Sequence, residues 1–131
     1  MSETTVNVRY MVHDVETAVA WYTTHLGFTL LSSAAPAFAD VRRGPLRLLL
    51  SGKASSAGRP LSDGQQPGPG GWNRIQLSFD DLAAEVAKLR AAGLRFRNDM
   101  VSGPGGSQIL LQDPSGNLIE LFQPANRSTR A

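Results

Sequence analysis

Val6-Asn7-Val8-Arg9-Tyr10-Met11-Val12-His13-Asp14-Val15 alternates and then stops alternating, and the change of period decides the fold. Val6, Val8, Tyr10 and Val12 fall on one side of an extended chain, with Asn7, Arg9 and Met11 on the other. This is the pattern of a strand buried on one face. Asp14 then offers a carboxylate to the first free amides of a helix whose apolar positions are Val15, Ala18, Val19, Tyr22 and Leu26, and Gly27 supplies a left-handed exit. The expected helix covers about 15–26.

Working outward, the same text recurs at an offset of 67 residues. Val8, Tyr10, Val12, Asp14 and Val15 map onto Ile75, Leu77, Phe79, Asp81 and Leu82, apolar on apolar and cap on cap. Asp80 or Asp81 caps a second helix with an apolar stripe of Leu82, Val86 and Leu89; Glu85 and Lys88 stand at pairing distance, and Gly93 ends it. Short apolar stretches follow each helix. In the first half they are Phe28–Leu31, Phe38–Val41 and Leu46–Leu50; in the second they cover about 94–97, 107–112 and 117–123, separated by Gly/Pro turns. The order strand, helix, three strands is therefore written twice. Residues 52–71, with six glycines, three prolines and three serines and no apolar period, read as a tether between the halves or a lid over a site, the tether being preferred.

The expected fold class is α+β, in one domain. Module one covers about 5–51, the Gly/Pro-rich linker about 52–71, module two about 72–124 and a short C-terminal tail 125–131. Each module has a helix for one sheet face only, so its other, mixed-polarity face is the expected binding or packing surface. Composition excludes several functions. Thirteen Lys+Arg against eleven Asp+Glu, scattered along the chain, give no basic stripe for nucleic acid. No apolar run suits a membrane span, and the absence of cysteine removes disulfides, thiolate nucleophiles and sulfur-ligated zinc. Met1-Ser2-Glu3-Thr4-Thr5 lacks the basic and apolar regions of a signal peptide, so the expected setting is cytoplasmic.

Val12-His13-Asp14-Val15, Ala20-Trp21-Tyr22 and Leu26-Gly27-Phe28, followed in the second half by Asp113-Pro114-Ser115-Gly116-Asn117 and Ile119-Glu120-Leu121, together resemble the vicinal oxygen chelate superfamily. This is the group of glyoxalase I, extradiol dioxygenases and bleomycin-type resistance proteins. The resemblance covers nearly the whole chain. It implies paired βαβββ modules whose strands curl into a mixed-sheet cup, commonly completed in a homodimer. It also implies, for members that use a metal, ligands on the first and last strands of each module; the matching positions are Asn7, Leu48, Arg74 and Glu120. Leu48 offers no donor and Arg74 brings a permanent cation to the place of the metal, leaving Glu120 as the one good ligand. A guanidinium about 4 Å from a dication costs several kcal/mol even at an effective dielectric of about 20. The expectation is accordingly no metal and no cofactor.

Arg74 and Glu120 can pair with each other as a structural salt bridge, Arg74 can contact an anionic or carbonyl group of a ligand, and the two roles are compatible. Asn7, Arg9 and Gln76 supply polar groups on the open faces, and Phe38 and Trp72 can stack on a flat molecule or serve as rim and dimer packing. The expected ligand-binding set is thus Asn7, Arg9, Phe38, Leu48, Trp72, Arg74, Gln76 and Glu120. His13 and His25 sit at the two ends of the first helix and are poor catalytic candidates, while Trp21 and Tyr22 read as core. Gly103-Pro104-Gly105-Gly106 lacks the Lys-Ser/Thr of a phosphate loop and reads as a turn. The function expected from the resemblance is sequestration of a small organic molecule, an antibiotic or natural product, without metal-dependent catalysis. The alternative is a lyase, isomerase or dioxygenase with Glu120 as base or metal ligand, or as base with Arg74 stabilising an oxyanion.

Overall fold

The computed structural model describes residues 5–125, so most of the C-terminal tail lies outside the described residues. Strand β1 (Val6–Met11) leads into helix α1 (Val15–His25), then β2 (Thr29–Ala34), β3 (Phe38–Arg43) and β4 (Leu46–Ser51). After a 3₁₀ turn at Ser56–Gly58 come β5 (Arg74–Ser78), α2 (Leu82–Ala91), β6 (Arg95–Phe96), β7 (Val101–Gly103), β8 (Gly106–Gln112) and β9 (Leu118–Pro124). Contacts divide the chain into two compact units, one running to Gly70 and including Pro114–Asn117, the other made of Gly71–Asp113 and the residues from Leu118 onward.

The first unit is a four-stranded mixed sheet in the order β1-β4-β3-β2, with β1 parallel to β4 and the other pairs antiparallel. Its helix starts where Asp14 accepts hydrogen bonds from the amides of Glu16 (3.0 Å) and Thr17 (3.3 Å), and stops at Leu26 because Gly27 turns at φ 72°. Helix α1 packs on β2, β3 and β4 and buries Val15, Ala18 and Tyr22 against Tyr10, Ala39, Val41, Leu48 and Leu50. Tyr22 is wholly enclosed and stands edge-on to Phe28, whereas Trp21, expected in the core, is only half-buried and stacks edge-on against Tyr22 and His25. An aromatic pair at successive helical positions is 100° apart around the axis, so one of the two must lean outward.

The second unit repeats the plan with five strands, in the order β5-β9-β8-β6 and with the short β7 also on β8. Strand β7 was not legible beside the glycines that follow it. Asp81 caps α2 through the Ala84 amide (3.1 Å), the Leu82 amide is met by the Gln123 side chain (2.8 Å), and Leu82, Val86 and Leu89 form the buried stripe. Beneath lie Ile75, Leu77, Ile109, Leu111, Ile119 and Leu121, all buried. Both modules are therefore mixed sheets with one helix, and neither sheet closes into a barrel.

Residues 52–71 have little regular structure, and all but Gly71 are built into the first unit. Ser55 accepts from the Gly58 amide and donates to the Gly52 carbonyl, Gln66 donates to the Gly58 carbonyl, and the Gly70 amide reaches the Asn117 side chain at 2.9 Å. No helix among the described residues is long and apolar enough to cross a membrane.

Candidate functional site

Register decides which side chains share a face. In the second unit Arg74 lies opposite Leu118, Gln76 opposite Glu120 and Ser78 opposite Phe122, and β8 extends these rows with Gln112, Leu110 and Gln108. Laterally paired residues point to the same side of a sheet, and α2 takes the other side. The face without a helix therefore carries Arg74, Gln76 and Glu120 together. Arg74 donates Nε and Nη2 to the same Glu120 oxygen, Oε1, at 3.1 and 3.0 Å, and Gln76 donates Nε2 to Oε2 at 2.6 Å. Arg74 also turns Nη1 back to the Trp72 carbonyl at 3.3 Å. Glu120 is 7% exposed, so it is a buried carboxylate with both oxygens engaged by partners on neighbouring positions of one face. The salt bridge read as one alternative in the sequence is present, and Gln76 completes it.

The first unit places its candidates differently. Asn7 pairs with Arg47 and Arg9 with Leu49, so these four share the open face with Met11, Ser51 and Phe38. Leu48 pairs with Val8 and Val41, is 0% exposed and faces α1. Its expected position on the open face is corrected here. The cause is a one-residue difference after the turn: Gly44 stands three residues before the partner of Asn7, but Gly116 stands two before the partner of Arg74. Aligning the two turns thus slips the strand by one, and a slip of one sends every side chain to the opposite face. Leu49 is the residue at the position of Glu120, and it too offers no donor.

Charged residues that the sequence reading passed over lie on this face. Asp40 is 4% exposed; its Oδ2 takes Nε and Nη2 of Arg47, both at 2.7 Å, and its Oδ1 takes the Ser32 hydroxyl at 2.5 Å. Burial alone would push the Asp40 carboxyl up, but the hydrogen bonds from Ser32 and Arg47 and the Arg47 charge outweigh it and hold the group below its ordinary value. Arg9 donates Nη1 to Ser51 Oγ at 2.8 Å. The alternation Phe38-Ala39-Asp40-Val41 already carried the signal for Asp40, since Ala39 and Val41 are both core.

The donors on the open faces are poorly suited to a metal. Glu120, the one carboxylate among the residues implied by the resemblance, is neutralised by Arg74 at 3.0 Å, and a cation bound there would have to displace a guanidinium or sit beside it. Among the described residues no three His, Asp or Glu side chains gather as a ligand set. The donor chemistry does not fit a divalent ion. Trp72 is 63% exposed, and its ring lies 4.9 Å from the Arg97 guanidinium.

Two βαβββ-type modules, each a mixed sheet with one helix and one helix-free face, define the fold class. The Glyoxalase/Bleomycin resistance protein/Dioxygenase superfamily model matches residues 5–121, and the chain belongs to this superfamily. Among solved structures it is similar to TnmS3, an antibiotic binding protein from Streptomyces sp. CB03234, at 26% identity over 95% of this chain and 98% of that one, with a TM-score of 0.71. It is similar to a glyoxalase/bleomycin resistance protein/dioxygenase from Nocardioides at 25% identity, 100% and 89% coverage and a TM-score of 0.70. The lactoylglutathione lyase of Agrobacterium tumefaciens, at 17% identity, 94% and 95% coverage and a TM-score of 0.74, shares the fold. A comparison with functionally curated proteins finds no significant match.

Proposed function

We propose that this protein binds a small organic molecule, an antibiotic or natural product, and sequesters it without transforming it. The observation that carries this reading is the buried Glu120 carboxylate, charge-paired with Arg74 and hydrogen-bonded by Gln76 on the open face of the second unit. A general base needs a lone pair directed at its substrate and a partner that takes up the developing charge. Glu120 instead turns both oxygens to its own neighbours, and taking up a proton would cancel the charge that pairs it with Arg74. Likeness to an antibiotic binding protein at 26% identity supports the same reading. Sequestration needs only affinity and enough protein, because the free ligand falls by mass action. Two copies of the chain are proposed to complete the cup, as the family resemblance implies.

Calorimetric titration against a panel of antibiotics and planar natural products, followed by chromatography of the recovered compound, tests the proposal. Saturable binding with the compound returned unchanged is the expected result. Conversion of any bound compound to a product would replace the receptor with an enzyme. Stoichiometric zinc, iron or manganese in the purified protein would overturn the metal-free part.

A further inference from the structure

Trp72 stands just before β5 and Arg97 just after β6, the two outer strands of the second unit's main sheet path, with β9 and β8 between them. Neighbouring strands are about 4.8 Å apart, so β5 and β6 are separated by roughly 14 Å. Their side chains nevertheless meet, with Arg97 Cζ 4.9 Å from the Trp72 ring centroid. The face on which they meet follows from register. Arg95 pairs with Gln112 and the Arg97 amide donates to the Leu110 carbonyl at 2.8 Å, so Arg97 continues the row of Leu110, Glu120 and Gln76. The stacked pair therefore reaches across the helix-free face that also carries the Arg74–Glu120–Gln76 cluster. One end is anchored, since Arg74 holds the Trp72 carbonyl. The other is a guanidinium on an exposed, flexible stem, and no carboxylate neutralises it among the ion pairs of the described residues.

We propose that Trp72 and Arg97 form a displaceable clamp that selects a planar aromatic ligand bearing an anionic group. The aromatic ring of the ligand takes the place of the guanidinium on the indole, and Arg97 swings to pair with the ligand's carboxylate. An exposed cation–π contact is weak enough to be exchanged, while ring-on-ring stacking and a charge-assisted pair replace it together. Arg74 is already paired with Glu120; Arg95 and Arg97 share the same face without a carboxylate partner among the described residues, and of the two Arg97 is the one that lies against the indole and can exchange it for the ligand's charge. This inference rests on the receptor reading given above and names the ligand chemistry for it.

The test uses three probes: anthraquinone-2-carboxylate, its neutral 2-hydroxymethyl analogue, and cyclohexanecarboxylate. The chain has two tryptophans, so Trp21→Phe leaves Trp72 as the single indole N–H resonance, and that resonance should shift on adding the planar acid. Calorimetry should show the planar acid bound about tenfold more tightly than either control. Trp72→Ala should weaken it by about tenfold, while Arg97→Gln should abolish the preference for the acid over the hydroxymethyl analogue and Arg97→Lys should keep part of it. Both residues are exposed, so the variants should fold, which thermal melts verify. A preference for the acid that survives Arg97→Gln, or an affinity unchanged by Trp72→Ala, would overturn the clamp and leave the receptor reading intact. Failure of all three probes would also end the clamp proposal, whereas the receptor reading falls only if the wider antibiotic panel fails as well.

Discussion

Asp40 is buried with two hydrogen bonds from Arg47 and one from Ser32, so its charge is stabilised in the folded chain more than in the unfolded one. Its carboxyl is lowered on folding, and the corresponding stability is complete above the unfolded carboxylate range and disappears as pH falls through the lowered folded value. Urea unfolding from neutral to strongly acid pH should show this loss, and Asp40→Asn should flatten that part of the profile while costing about 1–3 kcal/mol at neutral pH. The Arg74–Glu120 pair supports a second comparison. Glu120 is nearly enclosed, whereas about a third of the Arg74 side chain reaches solvent. Removing the arginine strands a buried anion with only Gln76, while removing the acid leaves a cation that can turn to water. Arg74→Met should therefore cost about 2–4 kcal/mol and Glu120→Gln less, a ranking that denaturant midpoints will read directly.

At the scale of elements, two positions hold the sheets and loops in place. Gly106 opens β8 at φ 143°, and a Cβ there would run into the Gln123 carbonyl and approach Pro124 Cα at 3.0 Å. Gly106→Ala should disturb the β8–β9 register next to Ser107 and Gln108, lower the melting temperature and release the protected amides of β9 in hydrogen exchange. Asn117, buried in the turn before β9, donates to the Met11 carbonyl at 2.8 Å and accepts from the Gly70 amide. Asn117→Ala should cost about 2–3 kcal/mol and loosen the segment that precedes Gly70, with proteolysis there as the measurement. That segment illustrates what composition conceals. Its glycines and prolines announced only the lack of a period, yet Ser55, Gln66 and Asn117 tie it down through single polar contacts that leave no repeating pattern. The helices and long strands were legible because they repeat: cap, stripe and glycine exit recur in both. Strand β7 and the two-residue β6 are too short to show a period, so Arg97 could not be placed on a face in advance.

At the scale of the molecule, the superfamily resemblance leads to the expectation of a homodimer, which light scattering should report as twice the chain mass of 14.0 kDa. The exposed strand β2, with Leu30 and Leu31 outward, is a sheet edge of the kind proteins rarely leave bare. The residue string by itself determined the doubled βαβββ plan, because alternation, capping and glycine exits are local properties that the chain expresses twice. The superfamily resemblance carried by that string implied that Arg74 and Glu120 stand where a metal-using member would place donors. Only the tertiary structure decided that Leu48 lies under α1, that Asp40 and Arg47 share the open face of the first unit, and that Trp72 meets Arg97 across the second. Those outcomes depend on strand register and on side chains from strands distant in sequence. A single-residue shift, which leaves every local propensity unchanged, exchanges the two faces of a sheet.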